Sequence, residues 1–458
     1  MSASAKISGV MNKLSAYVAG ALSTALPKPV AERAKLHLLD ALASMVSGSR
    51  LLPGQRAIDY ITPLGGTREA TVVGTRIMGT ASTAAFANGM FAHSDETDDV
   101  HQASITHPGA TVVPAALALA QRNRDNGTSL LRAMVLGYDV GARLTMSLDM
   151  NSFYFVRGHH PPSFGGLFGA AAAAGALLRL SPERVRYMFA YAAQQAAGLS
   201  CLFRDPEHIE KAFAMGGMPA RNGVDAALFA AHGFTSVPDV FSGDRNFFSA
   251  FSPVANPGEL TRELGKTYEI TRTSIKKWPV GGPILAPLDV TETLMRANPF
   301  NANDVKSVVV TLAEDRARIV DNRAMPDICL QHMIAVMLID GRVTFHSAHD
   351  FERMRAPTIV KLRKRVQLVG SPKMADLQRS FQGSVRITLR DGRTLEHYTP
   401  AARGSFLNPM TREEVSEKAL DLLSPTLGGK RAQLLISTIW KLEKLKDARD
   451  LATLCRPS

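Results

Sequence analysis

Through most of the first half of the chain, apolar residues recur every three to four positions, the spacing of helices that bury one face. Val30, Ala34, Leu38, Ala41, Leu42 and Met45 share one such stripe, with Pro29 suited to a first turn and Gly48 to an end. Segments 82–92, 114–122, 130–147, 164–180, 182–199 and 222–232 read as further helices. Ser82 is the candidate N-cap of the first, and Gly233 stops the last. The Gly/Ala-rich run Phe164–Leu178 is too short for a membrane span, and its small residues suit a helix packed at close quarters.

The pattern changes after about Tyr268. Segment 304–312 is valine-rich and reads as a strand, as does 359–369, while 328–339 reads as a helix. Segment 384–399 alternates on either side of Asp391-Gly392, which predicts a hairpin with a two-residue turn. Helices return from Asn408, with Thr411 and Glu414 placed as a capping box. The fold class expected is mainly α. An all-helical domain, residues 1–267 plus 405–458, carries an inserted smaller α+β domain, residues 268–404.

Composition narrows the chemistry. A chain of 458 residues, 45% hydrophobic and 21% charged, is an ordinary globular protein long enough for two domains. Cys201, Cys329 and Cys455 are scattered, which disfavours a disulfide framework, a zinc site and an iron–sulfur cluster. The net charge of +12 is spread along the chain, so it fits a small anionic substrate better than nucleic acid. The N-terminal stretch lacks the apolar core of a signal peptide, and a cytoplasmic protein with no membrane contact is expected.

The densest chemistry lies between His93 and Ala120. Asp95, Glu96, Asp98 and Asp99 are interleaved with His93, His101 and His107, and Pro108-Gly109 then leads into an apolar helix. A carboxylate beside an imidazole orients it and raises its basicity, as acid–base catalysis requires. A solvated loop with helix-capping acids has equal standing. The spacing fits no standard zinc or iron motif, and no metal is expected. Arg157, His159 and His160 precede Pro161-Pro162 and a Gly-rich helix start, where free N–H groups favour an anion. Lys211, before a Gly-Gly turn, is by itself an ordinary surface lysine. Arg323, Asp327 and His332 lie around another helix start, and His332 reads as a core histidine.

His93, Asp98, Asp99, His101, His107, Pro108 and Gly109 resemble the signature of the MmgE/PrpD family, in which an acidic pair and a histidine precede His-Pro-(Ser/Gly). The likeness continues at His160 and at Lys211, although Gly216-Gly217-Met218-Pro219 stands where most members read Gly-Arg-Ala-Ala. It also continues at Lys276, Pro279 and Asp289, where Trp278, Gly281 and Leu285 replace a usual Tyr, Cys and His; Val100 stands where several relatives carry a polar residue.

The resemblance implies a helical domain with an α+β lid, a homodimer, and a cofactor-independent lyase for a small di- or tricarboxylic acid. It makes His107 the general acid or base, with Asp98, Asp99 and His101 around it. Lys211 and Lys276 would hold carboxylates, and His160, Glu96, Arg157 and Arg323 would contact substrate. The family includes 2-methylcitrate dehydratase, cis-aconitate decarboxylase and an iminodisuccinate epimerase. Loss of water is the first expectation, with decarboxylation or epimerisation as alternatives. A non-catalytic relative that binds an anion or a partner is the reading from another class, favoured by Leu285.

Overall fold

Helix Pro161–Leu177 is buried along its entire length. Its glycines explain how. A Cβ on Gly141 would come within 2.4 Å of the Gly165 carbonyl oxygen, and one on Gly137 within 2.8 Å of the Gly169 oxygen. The helix therefore meets Gly127–Met146 backbone to backbone, and it also packs against Gly109–Asn123 and Met218–Ala231.

The computed structural model describes residues 7–374 and 381–457. The chain forms two units. The first takes the chain as far as Ser94, then Asp98–Thr273, then Leu422 onward; the second consists of Asp95–Thr97 and Ser274–Asp421. The protein is mainly helical with one small sheet region of consequence, which lies in the second unit. Among the described residues no helix is long and apolar enough to cross a membrane.

In the first unit the expected helices form, with shifted ends. Helix Ala81–His93 is capped by the Thr80 side chain, which accepts from Thr83 N–H, and not by Ser82. Gly109–Asn123 starts five residues before the expected position 114 and carries Pro114 inside it. The helix expected over 182–199 ends at Gln194. Two π-helical turns, Asn151–Val156 and Phe213–Gly217, have no counterpart in a pattern read at a period of 3.6.

In the second unit four strands lie in the order Val366–Ser371, Val305–Ala313, Gly383–Leu389, Thr394–Thr399. The first pair is parallel and the others antiparallel. Val305, Val308 and Val310 point inward with Val385, Ile387 and Leu389, and against them pack Leu288, Ile334 and Val336 from the helices. The strand expected over 359–369 is a correction: Pro357–Arg363 is helical, and only Val366 onward is strand. Pro357 in the first helical turn explains the switch. In the hairpin, Thr388 pairs with Thr394, so the loop around Asp391-Gly392 is longer than two residues. The capping box forms: Thr411 N–H donates to Glu414 Oε2 at 2.7 Å, and Glu414 N–H to Thr411 Oγ1 at 3.3 Å.

Candidate active site

In the first unit Asp98 is buried beneath two imidazoles. Its Oδ2 lies 2.8 Å from His93 Nδ1 and 3.0 Å from His107 Nδ1. An ionised carboxylate only accepts, so both Nδ1 atoms carry protons and the Nε2 of His107 carries the lone pair. His93 is fully buried, whereas 16% of the His107 side chain is exposed. The His93 ring meets His107 edge-on at 5.2 Å and stacks on His208 at 5.2 Å. His208 Nε2 lies 3.2 Å from the His93 carbonyl oxygen and donates to it.

Asp99, one residue on, faces elsewhere. Its Oδ2 accepts from Tyr138 Oη at 2.6 Å and lies 2.6 Å from His37 Nδ1, while Oδ1 accepts from Gly109 N–H at 2.8 Å. Burial, and then the Asp99 charge, push the Tyr138 hydroxyl well above its ordinary value, so it stays a donor. Asp99 thus caps the first amide of helix Gly109–Asn123 and seats the His107-Pro108 corner. A Cβ on Gly109 would come within 2.8 Å of Asp99 Oδ1, which explains the glycine.

His101 also turns away. Its Nδ1 lies 2.7 Å from Ser104 Oγ, and its Nε2 lies 3.3 Å from Glu269 Oε2. Glu269 is in turn 3.3 Å from the buried Arg143. Burial pushes the Glu269 carboxyl up, but His101, Arg143 and Arg272 outweigh it, and the group sits below its ordinary range.

His160 and Lys211 join the Asp98 group. Ser163 Oγ donates to the Ala214 carbonyl at 2.7 Å, which commits its only proton. It must therefore accept from His160 Nδ1, 2.8 Å away, and this leaves a lone pair on His160 Nε2. That nitrogen is buried and has no hydrogen-bond partner among the described residues. Burial, then His93, His107 and Lys211, push the His160 imidazole well below its ordinary value, so it is neutral at pH 7. Lys211 is half-buried, with its ammonium 6.0 Å from the Phe203 ring centre. The short helix Ile209–Ala212 that carries it is headed by Asp205, whose Oδ2 accepts from Glu210 N–H at 2.6 Å and Lys211 N–H at 3.3 Å. The π-helical turn Phe213–Gly217 follows at once, and the wider turn takes up one more residue than an α-turn would. Arg157 is exposed.

In the second unit Lys276 and Glu96 are buried together. Lys276 Nζ donates to Glu96 O and lies 3.4 Å from Glu96 Oε2. Lys418 Nζ donates to the next carbonyl, that of Thr97, at 2.9 Å. Glu96 has a left-handed backbone, φ 55°, which costs a residue with a side chain roughly 1–3 kcal/mol. The two ammonium–carbonyl bonds, each worth about 1.5–3 kcal/mol, offset it. Arg323 is half-buried, and its carbonyl accepts from Arg363 at 3.5 Å.

Sequence reading passed over His37, Tyr138, Ser163, His208, Glu269, His349 and Lys418. None is spaced to a motif, although a histidine within an apolar helix stripe, as His37 is, signals a buried partner. For a metal ion, His93, Asp98 and His107 bring donor atoms within 4.8 Å of one another. Both Nδ1 atoms are spent on one carboxylate oxygen, a geometry that suits protons.

Residues 12–259 match the MmgE/PrpD N-terminal domain and residues 278–444 the MmgE/PrpD C-terminal domain. A cis-aconitate decarboxylase-like protein, oryM, of Aspergillus oryzae is 26% identical over 463 residues, covering 94% of this chain and 93% of its own. The cis-aconitate decarboxylase of Homo sapiens is 26% identical over 455 residues, covering 93% and 90%. The 2-methylcitrate dehydratase of Cupriavidus necator is 34% identical over 109 residues, covering 21% and 22%.

Proposed function

The chain belongs to the MmgE/PrpD family, and we propose that it is a lyase that decarboxylates a small tricarboxylic acid of the cis-aconitate kind. The observation that carries this reading is the His107–Asp98 contact of 3.0 Å, which orients a partly exposed imidazole with its Nε2 lone pair outward. His107 takes a proton from solvent at Nε2 and passes it to the substrate, while Asp98 holds the ring and offsets the charge it carries in between. Lys211 and Lys276 hold carboxylates, and neutral His160, whose Nε2 can only accept, assists by receiving a donor such as the Lys211 ammonium. The bond to the departing carboxylate breaks as carbon dioxide leaves. Its electron pair enters the allylic system, and a proton adds at the far carbon. Negative charge gathers on a retained carboxylate, where a fixed ammonium in a dry site stabilises it most.

Decarboxylation is placed ahead of dehydration because the relatives aligned along nearly the whole chain carry the decarboxylase name. Dehydration of a 2-methylcitrate-like acid, the first expectation from the motifs, draws on a shorter stretch of higher identity. NMR in heavy water with cis-aconitate and 2-methylcitrate tests both. One deuterium in a new methylene with release of carbon dioxide is expected. Conversion of 2-methylcitrate alone would move the reading to dehydration, deuterium exchange without conversion to an epimerase, and binding without turnover to an inert relative.

A further inference from the structure

The second unit holds a buried histidine that the chemistry above leaves unused. His349 follows the short helix Phe345–Ala348, and its side chain is 11% exposed. Its Nδ1 lies 2.8 Å from the Phe345 carbonyl oxygen, which can only accept, so Nδ1 carries the proton and Nε2 the lone pair. Nε2 has no hydrogen-bond partner among the described residues, and Asp327 Oδ2 stands 3.9 Å from it. Asp327 is fully buried, and its carbonyl accepts from Gly281 N–H at 3.0 Å, which ties it to the loop that carries Lys276.

Burial pushes the His349 imidazole down to about 4, opposed by the Phe345 carbonyl, the Glu96 carboxylate and the Asp95 backbone. Charged groups near it include Asp327 and Glu96, and Glu96 is in turn paired with the Lys276 ammonium. At rest the ring is a neutral base turned toward carboxylates. The Lys276 ammonium serves Glu96 here, and a substrate carboxylate arriving at Lys276 must share it. The added negative charge favours a proton on Nε2.

We propose that His349 is a ligand-triggered cation: it takes up a proton at Nε2 when a carboxylate is held at Lys276, and so supplies a second positive charge beside Glu96 and Asp327. The proton comes from solvent, and His349 acts as a positioning residue. The inference rests on the reading that Lys276 holds a substrate carboxylate.

Calorimetry of the full chain with tricarballylate, an unreactive saturated tricarboxylate, tests it in buffers of different ionisation heat at pH 5.5 and 7.5. Wild type should take up about one proton per ligand at pH 5.5 and bind more tightly there, by at most about tenfold per pH unit. His349→Gln should bind at pH 7.5 as wild type does but lose the uptake at pH 5.5. Asp327→Asn should reduce the uptake and serves if the first variant does not fold. Wild-type binding without uptake, or unchanged uptake in folded His349→Gln, overturns this proposal alone. No binding of tricarballylate or cis-aconitate at either pH overturns the polycarboxylate reading and this proposal with it.

Discussion

Asp98 Oδ2 lies 3.0 Å from His107 Nδ1, and that contact puts a proton on Nδ1 and leaves Nε2 as the nitrogen turned away from the carboxylate. An amide in place of the carboxylate can turn its NH2 toward the ring and favour the opposite tautomer. Asp98→Asn should therefore lower kcat for cis-aconitate by about 10²–10⁴-fold with little change in KM. His107→Ala should lose at least as much. Steady-state assays of both variants, alongside thermal melts to verify folding, check this; a fully active His107→Ala would remove the residue from the mechanism.

Asp99 should behave differently from its neighbour. It accepts from Tyr138, His37 and Gly109 in a sealed environment, so its losses are structural. Tyr138→Phe removes one donor to a buried charge and should cost about 1–3 kcal/mol of stability. The measurement is the shift of the denaturant midpoint. KM should stay within about twofold of wild type, since no substrate contact is lost.

Lys276→Met keeps most of the side chain's bulk and deletes the ammonium that Glu96 shares. The KM for a tricarboxylate should rise at least tenfold, as expected for about 1.4 kcal/mol or more of lost charge-assisted bonding. A monocarboxylate inhibitor series on wild type and variant supplies the control. A variant with unaltered KM would show that this lysine only braces Glu96.

Acid should weaken the second unit. Burial, then the nearby Arg363 and Arg353, push His332 down to about 4 from its ordinary 6.5, and burial does the same to His349. The unfolded chain accepts a proton near 6.5, while the folded one refuses it until about 4. Stability is therefore full above that window and is lost as pH falls through it, by about 3 kcal/mol for one such group. Neither ring nitrogen of His332 has a hydrogen-bond partner among the described residues. His332→Met should flatten the acid decline and raise stability at pH 7, read from urea midpoints between pH 4.5 and 7.5.

Gly216 is among the least replaceable small residues near the site. A Cβ there would come within 1.9 Å of the Gly89 carbonyl oxygen. Gly216→Ala should destabilise by at least about 2 kcal/mol through forced backbone movement, and it should reduce kcat as Lys211 shifts with the π-helical turn. Gly233→Ala, where a Cβ meets open space, is the control for the seam; its positive φ adds only local strain.

Periodicity made most helices and the valine strand legible, because burial on one face is written every three to four residues or every second one. Helix starts were less so: Gly109 begins its helix because Asp99, ten residues earlier, takes its amide, and that partner is visible only in three dimensions. The error at 359–369 arose because a short helix and the strand after it share one apolar run. In the motif, neighbouring acids looked equivalent. The fold separates them: Asp98 serves histidines, Asp99 a helix end, and Glu96 belongs to the other unit. Lys276 and Lys418 lie far along the chain from the carbonyls of Glu96 and Thr97 that they serve, so no local spacing announces the pairing.

The seam between Gly216 and Gly89 leaves no side chain between two main chains. At that point the segment bearing Lys211 and the helix bearing His93 meet main chain against main chain. Side-chain drift elsewhere in those helices does not enter that contact, so their closest approach is insulated from changes that would retune an ordinary packed interface.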